Sequence, residues 1–73
     1  MKDYHINICY SNEDGGYIAD IPDLNACSAF GNTEEDALRE VKVAKDAWIE
    51  SAKAEGKPIP PPEYRPLIYQ FST

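Results

Sequence analysis

Tyr4, Ile6, Ile8 and Tyr10 alternate with His5, Asn7 and Cys9, the period of two expected of a strand with one buried face. This predicts a first strand over residues 3–11. The following Ser-Asn-Glu-Asp-Gly-Gly run, residues 11–16, is dense in turn formers, and Asp14-Gly15 tolerates positive φ, so a hairpin is expected. Tyr17, Ala19 and Ile21 then share one side of a second strand, 17–21, with Ile18 and Asp20 on the other. Pro22-Asp23 breaks that ladder, and a turn through Asn25 leads into a third strand over 26–30. An antiparallel meander results.

At Gly31 the period changes, and the glycine is read as the point that lets the chain turn sharply. Thr33 is placed as a helix N-cap with Asp36 at capping-box spacing, and Glu34 and Glu35 put negative charge at the positive end of the helix dipole. From there Ala37, Val41, Ala44, Trp48 and Ala52, flanked by Leu38 and Ile49, form one apolar stripe, opposite Arg39, Lys42, Asp46, Glu50 and Lys53. A helix over 34–55 would be about 33 Å long against about 23 Å for a seven-residue strand. Its last turns are therefore expected to overhang the sheet. Gly56 suits a left-handed C-cap, and the proline-rich run 57–62 makes a stiff, extended linker. Leu67, Tyr69 and Phe71 alternate beyond it, so a fourth strand is expected over 66–71, which Pro66 confines to its start or to an edge. The order β-β-β-α-β defines an α+β fold with one helix on one face of the sheet.

Seventy-three residues make one domain, and a chain this short gains only a few kcal/mol from its core, so homo-oligomerisation is expected to supplement it. Seven basic residues are scattered among thirteen acidic ones, for a net charge of -6. That argues against stand-alone nucleic-acid binding, which draws on clustered Lys and Arg, and makes a basic protein the natural complement. Cys9 and Cys27 lie in no disulfide-dense pattern, and neither a leader nor a membrane-spanning apolar run is apparent, so a reducing cytoplasm is expected.

Candidate chemistry is sparse. His5, Cys9 and Cys27 are too few for a structural zinc site, and the Cα atoms of His5 and Cys9 stand about 13 Å apart along a strand, too far for a nucleophile pair. Glu13, Asp14, Asp20 and Asp23 form the densest carboxylate group outside the helix. They read either as magnesium ligands, centred on Asp20, or as a solvated acidic rim. Trp48 lies mid-stripe, where an aromatic belongs to a core, and the five tyrosines suit sheets and interfaces equally. No catalytic residue, metal or cofactor is expected.

Taken in order, Glu13-Asp14-Gly15-Gly16-Tyr17-Ile18-Ala19-Asp20-Ile21-Pro22-Asp23-Leu24, then Cys27, then Gly31-x-Thr33-x-Glu35-x-Ala37-Leu38, and finally Glu55-Gly56-Lys57-Pro58-Ile59-Pro60-Pro61-Pro62 resemble the HicB-like antitoxins of type II toxin-antitoxin systems. The resemblance implies a partial ribonuclease-H-like fold with sheet order 3-2-1-4. It also implies a role in neutralising a HicA-like toxin, a small basic ribonuclease with a catalytic histidine, by covering its active site and RNA-binding surface. Where the family commonly has Pro-Gly before the cysteine, this chain has Asn25-Ala26. Many members continue into an operator-binding domain; here the short form is expected, without direct nucleic-acid binding.

Toxin contacts are expected at Glu13, Asp14, Asp20 and Asp23 and at Tyr64, Arg65 and Tyr69 of the C-terminal arm, and self-association around Trp48 and Ile49. Pro22, Cys27, Gly31, Thr33, Glu35 and Gly56 are structural signature positions. An orphan homo-oligomeric scaffold or regulator of the same fold is the alternative function. Whether strand four pairs within its own chain or with a neighbour is open.

Overall fold

The computed structural model describes residues 3–65. Strands β1 (Asn7–Ser11), β2 (Gly16–Asp20) and β3 (Ser28–Gly31) form an antiparallel sheet in the order β1-β2-β3, and helix α1 (Glu34–Ala54) lies across one face. The fourth strand expected over 66–71, with Tyr69, lies outside the described residues. β1 is shorter than its alternation suggested because its ladder stops where Asn7 meets Asp20, and β2 then leaves the sheet at a turn.

Register sorts the side chains into two faces. Ile8, Ala19 and Ala29 stand opposite one another beneath the helix, and Tyr10, Tyr17 and Gly31 form the next row. Ala19, Ile21, Leu24, Cys27, Ala37 and Val41 make the buried core, and Ile6, Ile8, Leu38, Ala44 and Trp48 pack around it. Tyr10 was expected among the buried residues but is 55% exposed. The reason is geometric: α1 crosses this row at Gly31, so cover fades through half-buried Tyr17 to Tyr10 at the far strand, whose ring meets Tyr17 edge-on at 5.2 Å.

Gly31 does not make the turn into the helix. Its φ is not among the positive values, and the chain bends at Asn32 and Thr33 instead. Gly31 is needed for closeness: a Cβ there would lie 2.2 Å from the backbone N of Ala37. Thr33 caps as expected, its hydroxyl accepting the Asp36 N–H at 3.1 Å. The capping box is only half made, because the Asp36 carboxylate pairs with Arg39. Aspartate is one methylene shorter than the glutamate the reciprocal bond favours. Glu35 is exposed in the first turn, beside the dipole's positive end.

At the other end Gly56, at φ 70, gives its N–H to Lys53, while Lys57 gives its own to Ala52 at 2.8 Å. This paired closure is a Schellman motif. The last turns do not overhang bare solvent. The β2–β3 connection lies beneath them, Leu24 is 1% exposed and Ala52 6% exposed, and the Trp48 indole N–H donates to the Asn25 carbonyl at 2.9 Å.

That connection contains two successive turns, 21–24 and 24–27, closed by Leu24 N–H to Ile21 O and Cys27 N–H to Leu24 O. Pro22 occupies the second position of the first, where its fixed φ fits. In the second turn the third residue, Ala26, has φ 60, the signature of a type II turn, whose best filling is Pro-Gly. Ala26 therefore does not begin β3, as the alternation suggested. A left-handed alanine costs about 1–2 kcal/mol, partly offset because glycine loses about 0.5–1 kcal/mol more chain entropy on folding. Ala26→Gly is expected to raise the melting temperature by about 3–6 °C for a gain of about 0.7 kcal/mol. A lowered melting temperature would contradict this turn geometry.

Candidate functional site

The sheet face away from α1 carries a cross-strand apolar row, Cys9–Ile18–Phe30. Cys9 is exposed, Ile18 half-buried and Phe30 42% exposed. The Phe30 ring lies over Gly16, where an added Cβ would come within 2.5 Å of its Cζ, so the glycine lets the ring lie flat along the sheet. The next row is polar, Asn7–Asp20–Ser28. Asp20 sits on the central strand, half-buried, and has no ion-pair partner among the described residues.

The four acids do not form one rim. Glu13 and Asp14 are exposed in the β1–β2 hairpin, where Asp14 receives the Ser11 hydroxyl at 2.9 Å. Asp20 and Asp23 belong to the opposite end of β2, about 13 Å away at 3.3 Å per residue. Asp23 is not a free surface acid either. Its carboxylate accepts the backbone N–H groups of Glu63 and Tyr64, each at 3.1 Å. Only Asp20 of the four stands on the open face beside the apolar row.

The arm containing Tyr64 and Arg65 runs back past the start of the chain. Tyr4 donates its hydroxyl to the Pro60 carbonyl, and the rings of His5 and Tyr64 lie 4.9 Å apart. His5 is thus half-buried, with Asn7 Oδ1 at 2.7 Å from its Nε2. An open hollow of mixed polar and apolar lining lies between residues 3–5 and 62–65. At its edge the Tyr4 N–H and, secondarily, Lys45 Nζ at 3.2 Å hold the Asp3 carboxyl below its usual range.

Trp48 and Ala44 border an open, mainly apolar groove of about 740 Å³ between the C-terminal half of α1 and the β2–β3 connection. Trp48 is engaged within the chain by its bond to Asn25, and Ile49 is half-buried. Both cysteines are free, Cys9 exposed and Cys27 buried, and burial pushes the Cys27 thiol up. Since the thiolate is the reactive form, a thiol-specific dye is expected to label Cys9 within minutes and Cys27 only after denaturant is added. Two equally fast reactions in the native protein would contradict the packing of Cys27.

Among the described residues, no group of three or more His, Cys, Asp or Glu is placed to hold a metal ion. α1 is not apolar enough to cross a membrane. The sequence reading missed the open row and the tie to Asp23. Alternation of Cys9 with its neighbours hinted at the first, whereas the partners of Asp23 lie 40 and 41 positions away.

These elements define a small α+β protein: a three-stranded meander with one helix on one face and a partly apolar second face exposed among the described residues. No family model matches the chain, and no solved structure matches it. It is 38% identical over 53 residues to the UPF0150 protein ssl0259 of Synechocystis sp., an alignment covering 73% of each chain. Identity to the UPF0150 protein Ta0767 of Thermoplasma acidophilum is 40% over 53 residues, covering 73% of this chain and 77% of the relative. A second Synechocystis protein, UPF0150 protein ssr1765, is 38% identical over 58 residues, covering 78% and 73%. The chain belongs to the UPF0150 family.

Proposed function

We propose that this chain is a HicB-like antitoxin that binds a small basic HicA-like mRNA-cleaving toxin and covers its active site. The geometric observation that carries the reading is the sheet face left open among the described residues, where the row Cys9–Ile18–Phe30 adjoins Asp20, whose carboxylate has no ion-pair partner among them. A partly exposed apolar strip beside fixed negative charge suits a basic protein surface, since burial of the strip supplies affinity and the charge supplies selectivity. The ordered motifs that resemble the HicB-like family name the class of partner. The net charge of -6 adds long-range attraction for it.

Neutralisation by cover asks no chemistry of this chain. Glu13 and Asp14 extend the negative potential to the hairpin end of the sheet, while Asp20 sits within the contact. Co-expression with a HicA-like toxin tests the reading. The expected result is rescue of growth and a complex that survives gel filtration. Continued growth arrest and separate elution would overturn it, and a self-associated chain in that experiment would favour the orphan homo-oligomer instead.

A further inference from the structure

Pro60, Pro61 and Pro62 have no backbone N–H, so the first donors that the arm offers after Ile59 are those of Glu63 and Tyr64. Asp23 takes both. Two consecutive N–H groups converging on one carboxylate are charge-assisted bonds, stronger than neutral ones. The Tyr4 hydroxyl holds the Pro60 carbonyl a few residues earlier, and the His5 ring lies against that of Tyr64. None of these contacts belongs to the sheet ladder or to the helix. Between Gly56 and Glu63 the arm is mostly proline, hence stiff, and a stiff segment held at two points moves as a unit.

We infer that Asp23 and Tyr4 form a latch that keeps the C-terminal arm closed on its own protomer, and that this strap opens without unfolding the core. Asp23 acts here as a positioning residue. The latch fixes the course of the arm as far as Arg65, beside residues 3–5. It also links the arm to the turn 21–24, so a change at either end is felt at the other.

Amide hydrogen exchange on the whole chain tests this. In the wild type the Glu63 and Tyr64 amides are expected to exchange at least about 10-fold more slowly than in Asp23→Ala, as loss of hydrogen bonds to a charged acceptor implies. The Ala19 and Val41 amides are expected to keep their rates, and Asp23→Asn, which retains one carbonyl acceptor, to fall between. Chymotrypsin is expected to cut after Tyr64 faster in Asp23→Ala. Tyr4→Phe, which leaves the turn untouched, is expected to speed exchange at Glu63 and Tyr64 by a smaller factor. Equal exchange of these two amides in wild type and Asp23→Ala would overturn the latch. So would parallel acceleration of Ala19 and Val41 in both variants, because the contact would then be global stabilisation alone.

Discussion

Gly31→Ala is expected to remove more than half of the protein's folding stability. The added methyl carbon would lie 2.2 Å from Ala37 N, 2.6 Å from the Asp36 carbonyl carbon and 2.7 Å from Ala37 Cα. All three are backbone atoms of the first helical turn, so no side-chain rotation relieves the clash and α1 must lift from the sheet. Lifting it separates Ala37 and Val41, both 0% exposed, from Ala19. A cost of about 3 kcal/mol or more follows, at the upper end of overpacking effects. Against a total of about 5 kcal/mol for so short a chain, that is most of the stability. Urea denaturation followed by circular dichroism is expected to show the midpoint lowered by about 3 M, for a slope of about 1 kcal/mol per M. A shift under about 0.5 M would mean that α1 does not sit on Gly31. Gly15→Ala is the informative contrast, because nothing lies within 4 Å of its Cβ position and only the φ of +69 opposes the change. About 1 kcal/mol is expected there.

On the open face, the double substitution Ile18→Lys with Asp20→Lys is expected to weaken the proposed binding of a HicA-like toxin by about 100-fold, or about 2.8 kcal/mol. The pair replaces the middle of the apolar row and its adjoining carboxylate with like charge against a basic partner. Glu40→Lys with Glu50→Lys, exposed on α1, changes the net charge similarly but lies on the other side of the molecule. Screening over about 8 Å at physiological salt leaves it only a small effect, about 3-fold. Titration calorimetry at matched salt separates the two. Equal losses would assign the attraction to overall charge and remove the special role of the sheet face.

The secondary structure was legible because its signals are local. Alternation of Ile8 and Tyr10 with Cys9, the Thr33 cap and the Gly56 closure each depend on residues within a few positions. Roles set by distant contacts were not legible. Gly31 stands at a strand end, so it reads as a turn residue until the helix is seen resting on it. Ala26 gave no sign of a left-handed φ because alanine rarely adopts one, although the Pro-Gly common at this point in HicB-like sequences fits the turn. The acids at 13, 14, 20 and 23 look like one group along the chain, yet β2 carries them to two ends of the sheet. Asp23 looked available to a partner because its backbone donors arrive from 40 and 41 positions away.

The chain has one tryptophan, and the bond from Trp48 to the Asn25 carbonyl makes it a built-in spectroscopic reporter. Its indole spans the junction between α1 and the β2–β3 connection, so emission wavelength and quenching register whether that connection remains docked beneath the helix. The Gly31 and Ala26 variants can therefore be followed by intrinsic fluorescence, with no label attached.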